Sequence, residues 1–222
     1  MIKEILVAIG MLLLVPAPLV CQAQELKPIN LPKPQIDIGR PLMQVLADRK
    51  TVREFSSEKL SPQILANLLW AGFGVNRATN GHRTAPSAMN AQEIDIYLAG
   101  AEGLYVYDAV TNQLKQVLSQ DVRAALGSQP DTKEAPVTLI FVADYSRMVK
   151  AKKPEDKDFY SAIDTGFISQ NIYLYCASEG LGTVVHMAGD KAKLAKAMQL
   201  RPEQKIVIAQ AVGFPRKPAP AP

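Results

Sequence analysis

Three short stretches of the chain collect residue types suited to a polar, phosphate-bearing ligand. The first, Arg49-Lys50-Thr51-Val52-Arg53-Glu54-Phe55, sets three cations and a hydroxyl on a small length of backbone. Guanidinium groups grip phosphate through paired N–H donors and threonine adds a neutral one, so Arg49, Lys50, Thr51 and Arg53 suit a phosphate. A solvated basic loop is the other reading of the same charges. The second stretch, Arg83 to Gln92, is small, polar and turn-forming. Its backbone amides and the Asn90 and Gln92 side chains offer the matched donors and acceptors that a flat heteroaromatic edge requires, unless it is only a connection before a strand. The third, Gly180 to Gly189, ends a helix and carries a strand into a Gly-bounded loop at His186, Met187 and Ala188. Backbone that close can lie over a ring face, although each glycine also suits a helix cap or a tight turn.

Composition narrows the chemistry further. Two histidines and two cysteines in 222 residues exclude a zinc ribbon, a disulfide-stapled miniprotein and a three-His catalytic site, so no metal is assigned. With 25 basic and 21 acidic residues the net charge is +4, too small for a polycation that coats nucleic acid. Charged residues at 21% and hydrophobic residues at 48% point to a folded domain.

The elements that must position these clusters are legible as periods and caps. Leu42, Val45 and Leu46 predict a short helix; Ser61 as N-cap with Pro62 at the first helical position opens a stronger one, with Ile64, Leu65, Leu68 and Leu69 on one face. Glu93 to Ala99 alternates as a strand, and Leu104 to Tyr107 and Leu114 to Leu118 flank a turn at Thr111-Asn112. Val137 to Ala143 reads as a central strand, Asp158 to Gly180 as a long buried helix with a Gly stop, and Val184-Val185 and Ile206 to Val212 as two more strands. Asp190 caps a helix running through Met198. The class is α+β, no linker splits residues 42–214, and residues 42–217 read as one domain. The mixed-sign segment around Lys150 to Asp158 reads as a mobile surface loop, with a lid as the alternative, and Cys176 reads as core.

Both ends lie outside that domain. Ile5 to Val15 is an apolar run too short to span a bilayer, preceded by Lys3 and followed by Pro16 and Pro18, as in a secretory signal. Cys21 and Ala23 are small residues three and one before a cut after Ala23, so residues 1–23 are a signal peptide and the mature chain keeps only Cys176. Val20 before Cys21 argues against lipid anchoring. The expected location is periplasmic or secreted, with no stable membrane span after processing. Residues 24–41, with Pro28, Pro32, Pro34 and Pro41, form an extended Pro-rich arm, a tether or a packing strap; residues 218–222 form a mobile Pro-rich tail.

Taken together, in this order and spacing, the clusters resemble the nitroreductase family of FMN-dependent proteins. The resemblance rests on Arg49, Thr51, Arg53 and Phe55; on Pro86, Ser87, Asn90 and Gln92; on Gly180-Leu181-Gly182; and on Val212-Gly213-Phe214-Pro215. Arg83 to Ala88 and Gly103 to Asp108 are most similar to the branch of azoline-oxidising dehydrogenases. The resemblance implies a central mixed or antiparallel sheet flanked by helices, an interlocked homodimer and noncovalent FMN. It implies that Arg49 and Thr51 hold the phosphate and ribityl chain, with Arg216 as a second phosphate cation and Lys50 beside them in the same cluster. Arg53 then stabilises charge at flavin N1 and O2. The Pro86–Gln92 loop reaches the flavin held mainly by the other subunit. His186-Met187-Ala188 stands where many relatives carry an acid near N5, which leaves a backbone amide at or beside Ala188 as the N5 donor and no acid or base assigned. The implied activity is hydride transfer at N5 between a donor and a small organic acceptor in two half-reactions; a flavin-binding protein without turnover and a purely structural exported domain are the alternatives. The donor is NAD(P)H or an extracytoplasmic reductant. Export without a twin-arginine signal leaves open how FMN is acquired.

Overall fold

The computed structural model describes residues 27–126 and 134–217; the signal segment with Cys21, residues 24–26 of the arm and the 218–222 tail lie outside the described residues. Seven strands form one sheet: β1 (Ile29–Asn30), β4 (Ile94–Gly100), β5 (Gly103–Asp108), β6 (Gln113–Leu118), β7 (Val137–Asp144), β8 (Gly182–His186) and β9 (Gln204–Gly213), in the order β1-β6-β5-β4-β7-β9-β8. Every neighbouring pair is antiparallel. A separate ribbon pairs β2 (Val75–Arg77) with β3 (His82–Arg83). The helices are α1 (Leu42–Asp48), α2 (Pro62–Phe73), α3 (Pro154–Ser178) and α4 (Lys191–Ala197).

Local chemistry accounts for much of this. Ser61 caps α2 by accepting from Ile64 N–H, and Asp190 caps α4 by accepting from Ala192 and Lys193 N–H. Asp108 Oδ1 accepts from Val110 and Thr111 N–H, and Asn112 takes φ 51°, which closes the β5–β6 hairpin. All eight residues of β7 are buried because both faces are covered. Leu139, Phe141 and Ala143 face the layer of α2 and α3, where Leu68, Leu69, Ile168 and Ile172 lie. Ile140 and Val142 face Leu194 and Met198 from the α4 side. A strand covered on both faces loses its polar alternation, hence the unbroken apolar run.

Several expectations are refined. The helix expected from Asp158 starts at Pro154, because the proline that reads as an interruption occupies the first turn, where no N–H is needed. It stops as expected at Gly180, φ +72°, with Leu181 N–H closing back on Cys176 O at 2.8 Å. The Pro-rich arm is a strap and not a loose tether: β1 adds to the sheet edge, Asn112 Nδ2 donates to Leu31 O and Pro32 O, and Gln35 N–H donates to Asn67 Oδ1. The segment before α3 is not a plain surface loop either, since Met148 and Ala151 are buried.

Candidate functional site

The basic cluster is built where α1 ends beside the sheet edge. Val52 N–H donates to Thr183 O at 3.0 Å, Ser56 N–H to Phe214 O at 2.9 Å and Arg216 N–H to Glu54 O at 3.0 Å, so residues 52–56 run between β8 and the chain leaving β9. Phe55 is fully buried there. Gly182 makes the approach possible: a Cβ on it would sit 2.8 Å from Val52 Cγ1 and 3.3 Å from Phe55 Cε1.

Tyr173 of α3 organises the ligand side of this cluster. Its hydroxyl accepts from Val185 N–H at 3.1 Å and lies 3.3 Å from Thr51 Oγ1. The guanidinium of Arg49 stands 5.5 Å from the centre of the Tyr173 ring. Among the described residues, Arg49, Lys50 and Arg53 have no carboxylate within ion-pair distance, and Lys50 and Arg53 are exposed. Arg216 differs, because its guanidinium is already bound by Glu134. Among the described residues the other three cations are unpaired, with the Thr51 hydroxyl beside Tyr173, a set that favours a multiply charged anion.

The end of β8 leads away from Val185 into His186, Met187 and Ala188. His186 is buried, and its Nδ1 lies 2.9 Å from Met187 O; a carbonyl can only accept, so Nδ1 carries the proton and Nε2 is bare. Burial pushes the imidazole pKa down, which keeps it neutral. Nε2 has no hydrogen-bond partner among the described residues. Met187 is exposed and Ala188 is buried.

The Pro86–Gln92 loop stands elsewhere. Ala88 N–H donates to Asp164 Oδ2 at 2.8 Å, which fixes the loop on α3 nine residues before Tyr173, about 13 Å away along the helix axis. Within the loop, Ser87 Oγ accepts from Gln92 N–H, Gln92 Nε2 donates to Gly81 O and Asn90 Oδ1, and Arg83 Nε donates to Gln92 Oε1. The Gln92 amide is thus engaged internally, while Pro86 and Asn90 face solvent. One chain therefore brings Arg49, Lys50, Thr51, Arg53, Arg216 and the β8 end together, but not Pro86, Ser87, Asn90 and Gln92. Sequence reasoning missed Tyr173, which carries no motif, and missed Glu93 and Asp164, two buried acids under the loop. The inward spacing of Ser161, Asp164 and Thr165 on α3 was the available signal for the latter.

Comparison with known proteins agrees with this architecture. The model of the family described as Nitroreductase matches residues 46–214. A protein of Methanocaldococcus jannaschii that carries a nitroreductase name is 32% identical over 154 residues, 64% of this chain and 76% of its own. A crystal structure from Ralstonia eutropha JMP134, also carrying that name, superposes with a TM-score of 0.82 at 39% identity, covering 92% of this chain and 96% of the other. At 22% identity and a TM-score of 0.58, a Desulfovibrio desulfuricans structure in complex with FMN shares the fold over 82% of this chain and 92% of that one.

Proposed function

The chain belongs to the nitroreductase family, and on that premise we propose that it is an exported FMN-dependent oxidoreductase acting on a small organic substrate in two half-reactions. The observation that carries the proposal is that Tyr173 gathers the Thr51 hydroxyl and the Arg49 guanidinium within a five-residue stretch that also carries Lys50 and Arg53, three cations without carboxylate partners among the described residues. That donor set fits a phosphate monoester dianion, and FMN would be held there by Arg49, Lys50 and Thr51. When bound, FMN supplies hydride chemistry at its N5 position. Arg53, exposed and four residues beyond Arg49, would place a fixed positive charge toward the N1 and O2 edge of the ring. Arg216 joins the phosphate only by leaving Glu134. His186 stays neutral and no acid or base is assigned; Met187 and Ala188 supply backbone near the ring.

The loop that does not reach this cluster in its own chain argues for a homodimer in which Pro86–Gln92 serves the partner's flavin. Exposed apolar residues support the same reading: Phe159, Ile163 and Phe167 repeat at every fourth position of α3, and Leu42, Met43 and Leu46 lie on α1. Among the described residues no helix is long and apolar enough to cross a membrane, and export rests on the apolar run Ile5–Val15 and the cut after Ala23. The likeness of Arg83–Ala88 and Gly103–Asp108 to azoline-oxidising dehydrogenases supports catalysis in the oxidative direction, in which hydride leaves the substrate and the electrons pass on to oxygen or a quinone; in the reductive direction NAD(P)H or an extracytoplasmic reductant would be the donor.

The test is the absorption spectrum and hydrodynamic size of the purified mature protein. Flavin bands, release of one FMN per chain on denaturation and a dimeric mass are expected. A colourless protein that stays monomeric with FMN added overturns the proposal.

A further inference from the structure

The two halves of α3 turn different chemistry toward the sheet. Ile168, Ile172 and Cys176 are buried in the second half, whereas Ser161, Asp164 and Thr165 are buried in the first. Against this polar half stands Glu93, 0% exposed at the foot of β4, with neither carboxylate oxygen hydrogen-bonded among the described residues. Asp164, 2% exposed, is within hydrogen-bond reach of the Glu93 carboxyl and accepts Ala88 N–H at 2.8 Å. Two carboxylates cannot bond to each other without a proton between them.

The surrounding cations do not supply a counter-charge directly. Arg147 pairs with Asp95 at 2.8 Å and donates to the main-chain oxygen of Glu93 at 2.7 Å. Arg83 on β3 donates to Gln92 and Phe73 O, and Lys157 at the start of α3 donates to Tyr145 O. Arg201 is bound by Asp144, and Asp158 accepts from the Tyr145 hydroxyl. The remaining acids around it are already engaged, Asp95 by Arg147, Asp144 by Arg201 and Asp158 by the Tyr145 hydroxyl.

We infer that Glu93 and Asp164 share one proton, carried by Glu93 and directed at Asp164, and that this proton holds the Pro86–Gln92 loop in its folded conformation. The proton is placed on Glu93 because Asp164 already accepts Ala88 N–H, whereas neither Glu93 oxygen accepts from any donor among the described residues. Burial, and after it the Asp164 charge, pushes the Glu93 carboxyl up to about 7. Once that proton leaves, water must reach two carboxylates that the loop covers. The loop is poised to yield, since Met89, Asn90 and Gln92 all hold positive φ, at 55°, 53° and 49°. Its last consequence, that the proton also sets flavin affinity, rests on the reading of the loop proposed above.

The test compares wild type with Glu93→Gln, which keeps the size and the donor but has no proton to lose, first without FMN. Wild type at pH 6 should show the infrared C=O band of a protonated carboxyl that is missing in Glu93→Gln. Relative to Glu93→Gln, exchange of the Ala88 amide in wild type should speed up at least about fivefold between pH 6 and pH 8.5. No such band, or an exchange ratio independent of pH, overturns the inference. Asp164→Asn removes the repulsion from the other side and should weaken the pH dependence to what the burial of Glu93 alone imposes, a second reading should the Glu93→Gln protein fail to fold; an undiminished pH dependence in Asp164→Asn overturns the shared proton. With FMN added, wild-type affinity relative to Glu93→Gln should fall about tenfold between pH 6 and 8, a ratio in which the titration of the phosphate cancels. A flat ratio alongside responsive exchange overturns the flavin step alone. If neither protein binds FMN, the proposed function fails, while exchange and infrared still decide the proton.

Discussion

Arg49 and Arg53 are four residues apart, yet their neighbours differ. Arg49 is half-buried over the Tyr173 ring, whereas Arg53 is exposed, and the proposed roles give adhesion to the first and charge at the ring edge to the second. At saturating FMN, Arg53→Met should move the two-electron potential negative by some tens of millivolts, about 30 mV corresponding to roughly 1.4 kcal/mol, the strength of one charge-assisted contact. Arg49→Met should weaken FMN binding and leave the potential nearly unchanged. A dye-equilibrated redox titration of the three proteins checks this, and a shift in Arg49→Met instead would reverse the two roles. Glu93 makes a second prediction at this scale. Its carboxyl is raised from an ordinary 4.5 to about 7, so the folded protein binds the extra proton in that window. The stability it carries is fully present below about 4.5 and lost as pH rises through about 7. Thermal melts should therefore show the Glu93→Gln protein gaining on wild type from pH 4.5 to 7, by up to about 3 kcal/mol, with no further gain above.

Gly182 and the Ser61 cap show how elements position the site at two distances. Residues 52–56 lie against β8 and the chain leaving β9, and the contact at Gly182 leaves no room for a methyl group, 2.8 Å from Val52 Cγ1. Gly182→Ala should cost about 1–3 kcal/mol as overpacking and also weaken FMN binding, because the cluster backbone is what must shift. Ser61→Ala should cost about 1 kcal/mol through the lost cap on α2 while FMN affinity holds, since the cap lies at the far end of α2 from Trp70 and Phe73, which meet the segment leading to Pro86. Chemical denaturation and FMN titration on the two variants separate the effects. Equal losses of affinity would mean that the phosphate cluster depends on global stability and not on the β8 contact.

A single copy of the molecule leaves an apolar face open and its loop away from its own cation cluster. Phe159, Ile163 and Phe167 are exposed on α3, so charging them leaves the core of one chain untouched. Ile163→Glu with Phe167→Glu should produce a folded monomer by sedimentation, with a melting temperature lowered only by the lost association and FMN affinity at least tenfold weaker. A monomer of unchanged affinity would remove the partner's loop from the site. The mature chain should begin at Gln24 by intact mass; a lipid on Cys21 or retention of Ile5–Val15 would contradict the export reading.

Signals confined to a few neighbouring residues were enough for the caps at Ser61 and Asp190, the Asn112 turn, the Gly180 stop and the buried run of β7, because capping, φ preference and burial on both faces are properties of a short segment. The α+β class and the order of the three stretches proposed to hold the ligand followed from the same signals. The tertiary structure alone decided that Ile29–Asn30 pairs with Gln113 and Leu114, more than eighty residues on, since two residues carry no period. It also decided that Tyr173 holds Thr51 and Val185 in one network. Pro86–Gln92 and Arg49–Arg53, both polar and turn-bounded in sequence, meet α3 at points nine residues apart. Glu93 reads as the polar phase of an alternating strand, and only the packing of α3 across it turns an ordinary surface acid into a buried one with Asp164 beside it. Whether a polar group is solvated or desolvated depends on which distant element covers it, and that depends on sheet order and helix crossing, which no local pattern encodes.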